Sequence, residues 1–223
     1  MLLKTNKLMK AFGGLKAINK VDFELPANEI RGIIGPNGSG KSTFFNLVSG
    51  VYEPDPGSYI EFDGKDITNE PPHKVGELGL ARTFQLLRLY QDMSVINNVM
   101  SGYHTLVPYS FIDAVTGRKK IWDQEKIIKE EMMELLSFVG LADYAELNAS
   151  ELSGGQRRLL VLARAIAGKP KLLMLDEPAA GLSPVNVDNL MKILMRLKEK
   201  YGLTLIIIEH ILKVVMDTCS KVT

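Results

Sequence analysis

The run Gly35-Pro36-Asn37-Gly38-Ser39-Gly40-Lys41-Ser42 has the spacing G-x-x-x-x-G-K-[ST] and follows a short apolar stretch, residues 30–34. Each fixed position has a task toward a polyphosphate. Glycines at 35, 38 and 40 open backbone conformations closed to other residues and remove Cβ atoms that would collide with phosphate oxygens. The N–H groups of the run, with those opening the helix that residues 43–48 can form, face the anion and add the helix dipole to the attraction. Lys41 brings a mobile positive charge to the β and γ oxygens. The Ser42 hydroxyl is the expected Mg²⁺ ligand, and Thr43 reaches toward the α-phosphate. Eight residues in register with these flanks point to a nucleoside triphosphate rather than to a Gly-rich turn that binds nothing.

Two further constellations carry chemistry. Asp176 and Glu177 follow the apolar run 172–175, which would hold the first carboxylate rigidly at a sheet edge for Mg²⁺ and the second where it polarises an attacking water. An Asp-Glu pair after a strand is commonly just a polar loop start, and the cradle is what turns the reading toward function. Leu152-Ser153-Gly154-Gly155-Gln156 lies about 20 residues before Asp176 and opens a predicted helix over 157–167, so its amides form a second anion site. One nucleotide does not need two cradles from one chain. The consistent solution is that this helix end caps the γ-phosphate held by a partner's cradle.

The elements that must position these residues are legible as patterns. Residues 2–11 and 18–25 read as strands around the Gly13-Gly14 turn, with Val21, Phe23 and Leu25 alternating against Asp22 and Glu24, which suits an antiparallel edge. Phe12 sits at the tip of that turn, where an aromatic either packs or stacks on a base. Residues 59–62 form a strand before the Asp63-Gly64 turn, Pro71-Pro72 can start a short helix, and 80–84 read as a core strand ending at Gln85. From 86 to about 169 the pattern is mostly helical. Ser94 caps a helix opening at Val95, residues 108–120 read as a loop or short insertion, and 126–139 place Ile127, Ile128, Met132, Leu135 and Leu136 close to one face. Residues 172–175 and 203–208 are continuous apolar runs, as in strands buried on both faces of a parallel sheet. Between them Ser183-Pro184 starts a helix and Gly202 ends it. An open α/β sheet binds ligands at its strand ends, which is where Gln85, Asp176, Glu177 and His210 fall.

Composition narrows the class. At 223 residues, 46% hydrophobic and 24% charged, the chain has the profile of a globular protein with a substantial core. Lys and Arg (27) nearly balance Asp and Glu (26), so nothing suggests a nucleic-acid surface. The single cysteine, Cys219, fits a reducing compartment, and no apolar run approaches the roughly 18 residues that span a bilayer. A cytoplasmic protein is expected, which leaves docking on a membrane partner open.

With cradle, Gln85, signature run, Asp176 and His210 in this order, the sequence resembles the ATP-binding subunits of ABC transporters over nearly its whole length. Ala81-Arg82-Thr83-Phe84-Gln85, Glu177-Pro178-Ala179-Ala180-Gly181-Leu182 and Ile208-Glu209-His210, with the helical insertion after Met93, are similar to the branched-chain amino-acid importer branch. The resemblance implies an α/β fold: a P-loop NTPase core of the ABC ATPase type, with a mostly parallel sheet, an antiparallel β edge and an inserted helical subdomain. Residues 1–223 would form one such domain, with 1–85 and 170–223 the core and 86–169 the helical signature subdomain. The implied activity is Mg²⁺-dependent ATP hydrolysis coupled to import of branched-chain, hydrophobic amino acids. Lipid or lipopolysaccharide export is the competing transport function, and a non-transport ABC ATPase the competing class. The latter would need a long coiled coil, a tandem cassette or a basic face, and the sequence has none of them.

Residue by residue, the resemblance implies that Phe12 stacks on adenine, that Gln85 links Mg²⁺ and water to transmembrane subunits, and that Glu177 is the catalytic base. His210 would be the switch histidine near the γ-phosphate; Ser42, Gln85 and Asp176 would be the metal set. His73 and His104 match nothing. The implied partners are a second ABC ATPase subunit, identical or related, transmembrane permease subunits and an extracytoplasmic substrate-binding protein, with no nucleic acid. The chain would then sit on the cytoplasmic face of the membrane through the permease. Two departures stand out: Ser183 occupies the place of an aspartate that crosses the dimer, and the sequence stops at Thr223 where relatives continue, so a truncated C-terminal end is expected.

Overall fold

The computed structural model describes residues 1–83, 89–103 and 119–223. Gln85, His104 and most of the expected 108–120 loop therefore lie outside the described residues. The chain divides into two compact units, Met1–Gln85 with Lys171–Thr223, and Leu86–Pro170.

In the first unit, β1 (Leu3–Phe12) and β2 (Leu15–Leu25) form an antiparallel hairpin, and β1 also pairs with β4 (Tyr59–Phe62), which turns into β5 (Lys65–Asp66). The hairpin reaches closer to its turn than the hydrophobic alternation indicates. Near the tip the ladder continues through Lys10, Ala11 and Lys16, which face solvent or lie half-buried. A second sheet is wholly parallel, in the order β6 (Leu80–Arg82), β7 (Leu172–Asp176), β8 (Thr204–Ile208), β3 (Ile30–Ile33) and β9 (Lys221–Val222). Every residue of β8 is buried, and β7 emerges only at Asp176, as continuous apolar runs demand of central parallel strands.

Helix α1 (Lys41–Val48) has no exposed apolar face to spare. Phe44, Phe45, Leu47 and Val48 are all buried, in one cluster with Leu3, Phe23, Ile60 and Phe62 from the antiparallel sheet and Met174, Ile206 and Ile208 from the parallel one. Phe23 and Phe44 meet edge to face with centroids 5.1 Å apart. Two sheets thus grip the helix that follows the glycine-rich run. Helices α2 (Pro72–Glu77), α6 (Pro184–Tyr201) and α7 (Leu212–Thr218) complete this unit. Gly202 ends α6 at φ 64°, as its sequence position implies, whereas Ser183 precedes Pro184 without a side-chain cap bond.

The second unit packs α3 (Val95–Tyr103), α4 (Lys119–Val139) and α5 (Gly154–Ala167). The expected loop up to residue 120 is corrected here: α4 already includes Lys119 and Lys120, seven residues before the expected start at 126. Residues 119–125 are mostly polar and carry no Pro, Gly or capping signal to mark where the helix begins. Ser94 caps α3 as expected, its hydroxyl accepting from the Asn97 N–H at 3.3 Å. Asn98 is fully buried and its side-chain amide bonds Tyr90 and the carbonyls of Met93 and Ser94, pinning the chain that enters α3.

Helices α3 and α5 pack backbone against backbone at Gly102, where a Cβ would collide with the backbone carbonyl of Arg164. A backbone atom cannot yield as a side-chain tip can. Gly102→Ala should therefore cost about 1–3 kcal/mol through overpacking, read as a lower urea midpoint with unchanged slope.

Candidate nucleotide site

The register of the parallel sheet builds the site. Ile33 of β3 pairs with Ile208 of β8, and Ile208 pairs with Asp176 of β7, so three adjacent strands end in one row. The glycine-rich run, Glu177 and the Glu209-His210 pair all leave the sheet from that row, at its carboxyl edge.

The run 35–40 turns from β3 into α1, with Ser39 N–H donating to the Pro36 carbonyl at 3.2 Å. Gly38 and Gly40 have φ of 80° and 94°. At Gly40 a Cβ would also lie 2.5 Å from the Ala17 carbonyl oxygen, so β2 itself imposes glycine there. At Gly38 a Cβ would meet nothing within 4 Å, leaving that side of the loop open. The Lys41 ammonium donates to the Gly35 and Pro36 carbonyls at 2.7 and 2.8 Å. These neutral acceptors hold it over the loop, and phosphate oxygens would offer it stronger, charge-assisted bonds. Ser42 is exposed on the first turn of α1 and Thr43 half-buried. Phe12 ends β1 with its ring exposed, meeting Tyr52 edge to face at 5.5 Å with the Lys10 ammonium 5.8 Å from the ring.

Asp176 is gripped by Arg82, whose Nη2 lies 3.3 Å from Oδ2; both side chains are about nine-tenths buried. The same guanidinium donates to Asn46 Oδ1 (2.6 Å) and Ser49 Oγ (3.3 Å) and stacks over Phe45. Burial pushes Arg82 below its usual pKa and Asp176 above its own, and their mutual attraction opposes both shifts. Arg82 thus ties β6, the end of β7 and α1 together. Sequence reasoning missed this residue as part of the site. The available signal was a single charge inside the run 80–84, which is otherwise uncharged.

Glu177 follows with a left-handed backbone, φ 49°, unusual for a residue with a side chain. Its N–H donates to the Ile208 carbonyl at 3.0 Å, and the His210 Nε2–H donates to its Oε1 at 2.7 Å. The two residues separated by 33 positions in the chain are thereby brought together. His73 lies exposed in α2.

In the helical unit, Leu152 is buried and Ser153 caps α5. Ser153 N–H donates to Gln156 Oε1 at 2.9 Å, and Gln156 N–H donates to Ser153 Oγ at 3.4 Å. A Cβ at Gly154 or Gly155 would meet nothing within 4 Å. The helix begins at Gly154, three residues earlier than the sequence indicates, so the signature run itself forms the N-terminus.

The donor set fits Mg²⁺ rather than a metal caged by protein. Ser42 and Asp176 are hard oxygen donors, and no group of three or more His, Cys, Asp or Glu capable of holding a metal occurs among the described residues. A cation that keeps water and takes phosphate oxygens suits such a site.

Known proteins with similar sequences and folds identify the family. The family model described as ABC transporter matches residues 18–180. The probable branched-chain amino acid transport ATP-binding protein LivG of Archaeoglobus fulgidus is 42% identical over 219 residues, 96% of this chain and 82% of that protein. BraF of Pseudomonas aeruginosa, a high-affinity branched-chain amino acid transport ATP-binding protein, is 36% identical over 221 residues, 99% of this chain and 86% of its own. Among solved structures, the ADP conformation of an ATP-binding cassette of an ABC transporter superposes with a TM-score of 0.83 at 34% identity, covering 98% of this chain and 84% of that one. A nucleotide-free cassette gives 0.82 at 34%, covering 98% and 85%.

Removing Arg82 would strand the Asp176 carboxylate in a low-dielectric site. Arg82→Met should lower unfolding free energy by about 3–5 kcal/mol, and by less in an Asp176→Asn background where no charge is stranded. Denaturant unfolding of the two singles and the double provides the check.

Proposed function

This chain belongs to the ATP-binding subunits of ABC transporters, and from that premise we propose that it hydrolyses ATP to power import of branched-chain amino acids through a membrane permease. The observation that carries the proposal is the row of strand ends that gathers the phosphate loop, Asp176, Glu177 and His210 at one sheet edge. The substrate class rests on near full-length similarity to relatives named for branched-chain amino acid transport. Residues 1–223 act as one ABC ATPase domain, with 1–85 and 170–223 the core and 86–169 the helical signature subdomain.

In this reading Gly35, Pro36, Asn37, Gly38, Ser39 and Gly40 wrap the phosphates, Lys41 and Thr43 bind them, and Phe12 receives the adenine. Mg²⁺, held by Ser42 and Asp176 and reached by Gln85, would neutralise charge on the phosphates. Glu177 accepts the proton of the attacking water, and His210, already bonded to Glu177, fixes that carboxylate's direction and faces the γ-phosphate. Positioning and charge complementarity supply most of the rate. The run 152–156 contributes to the nucleotide held by a second ATPase subunit, so that two chains close on two nucleotides. No helix among the described residues is long and apolar enough to cross a membrane. Attachment at the cytoplasmic face then runs through permease subunits, with an extracytoplasmic binding protein delivering the amino acid.

Glu177→Gln keeps the shape of the side chain and removes the base. It should retain ATP binding while lowering steady-state phosphate release by about a hundredfold or more, the scale of a lost general base. Lys41→Ala should instead weaken ATP binding itself, because it removes charge that meets the bound nucleotide before reaction. Near-normal turnover of Glu177→Gln would overturn the assignment of the base.

Composite sites make a separate demand on mixed assemblies. Ser153→Arg and Lys41→Ala chains should each be impaired alone, yet their mixture should recover turnover at the one site with both halves intact. Full activity from a strictly monomeric species would exclude composite sites. Uptake of labelled leucine, isoleucine and valine by the assembled transporter, compared with lipid movement, decides the substrate.

A further inference from the structure

Glu209 is a carboxylate where burial is strongly unfavourable: only 2% of its surface is accessible, at the end of a strand buried throughout. Burial raises its pKa, and backbone N–H groups oppose that shift. One oxygen accepts from the Ala179 N–H at 2.7 Å and the other from the His210 N–H at 3.2 Å. Those donors belong to different loops. Ala179 lies in the turn after β7, which starts at Glu177 and is closed by the Ala180 N–H donating to the Glu177 carbonyl at 3.1 Å. His210 opens the turn after β8.

The side chain therefore braces the two loops whose own side chains meet as the Glu177–His210 pair at 2.7 Å. Glu177 needs such bracing. A left-handed backbone at a residue with a Cβ persists only where its surroundings over-determine it. Its N–H is fixed to β8 through Ile208, and Glu209 fixes the far side of the same turn to the same strand end.

We propose that Glu209 is a positioning residue for ATP hydrolysis: its carboxylate, bonded to the Ala179 and His210 N–H groups, holds the two loops in the register in which Glu177 and His210 meet. The proposal rests on the assignment of Glu177 and His210 given above. Glu209 acts through those residues and does not itself reach the nucleotide. Both of its oxygens face donors, so the chemistry is specific to a carboxylate. Glutamine at this position would keep the volume but turn an NH₂ group toward a backbone N–H. Aspartate would keep both oxygens and shorten the reach by one methylene.

The test uses the full chain, with ATP binding, kcat, KM and thermal midpoint measured for Glu209→Gln and Glu209→Asp, each alone and with His210→Ala. Glu209→Gln should bind ATP normally and lose about tenfold or more in kcat, the effect of one charge-assisted bond that orients a reacting group. Glu209→Asp should fall between it and the parent. In the His210→Ala background the loss should shrink, because no pair remains to be aligned. A parental kcat in both variants overturns the proposal, as does a loss fully additive with His210→Ala or one matched by loss of folded protein. Turnover surviving in Glu177→Gln would instead overturn the underlying assignment. A dead Glu177→Gln beside a parental Glu209→Gln overturns only the bracing role.

Discussion

Ile33, Ile208 and Asp176 stand side by side across three parallel strands, and the geometry of the candidate site depends on that alignment. A parallel ladder fixes relative height as well as neighbourhood. A slip of β7 by one residue would exchange its side chains between the two packed faces and take Asp176 out of level with Ile33 and Ile208. Because β7 and β8 are buried on both faces, such a slip is strongly penalised. The hydrophobic core thus sets the position of a carboxylate that is not itself hydrophobic. Helix α1 is located by the same burial, since its phenylalanines are claimed by both sheets.

Polar residues within this core follow a consistent pattern. Arg82 and Glu209 are buried charges, each bonded to groups from more than one element: Asp176, Asn46 and Ser49 for the first, backbone N–H groups of two loops for the second. Apolar side chains of equal volume could fill the same space at comparable or greater stability. What they could not do is fix direction. A guanidinium fork or a carboxylate with two occupied oxygens admits one arrangement of its partners, where a leucine admits several. Directional groups stand next to Asp176, Glu177 and His210.

The elements most legible in the sequence were those whose local chemistry and tertiary setting agree. The apolar runs of β7 and β8, the glycine-rich turn into α1 and the Gly202 end of α6 all emerge near their expected places. The order β6-β7-β8-β3-β9 was not legible, because it arises from pairings between distant segments. Strand β9 is two exposed residues joined to β3 by backbone bonds, including Thr223 N–H to Gly32, which side-chain patterns do not record. The start of α4 was invisible for want of a cap. Glu177 and His210 could each be singled out as candidates, but their contact could not: it exists only once two strand ends are level. Glu209 escaped notice as a structural partner because a charge at the end of an apolar run reads equally well as the place where the strand stops, and Arg82 because its partners Asn46 and Asp176 lie far away in sequence.

Glycines in the two anion-directed runs answer to different constraints. At Gly40 the missing Cβ is demanded from within, by the Ala17 carbonyl and a left-handed backbone, so a fold requirement and a binding requirement coincide. At Gly154 and Gly155 no neighbour stands within 4 Å of the missing Cβ, and the backbone is ordinary helix. Glycine is imposed there neither by packing nor by the backbone conformation. The capping box already engages the N–H groups of Ser153 and Gln156, leaving the two glycines as a smooth step between them. The glycine at 40 is thus explained from within its own unit, whereas those at 154 and 155 answer to no steric constraint within theirs.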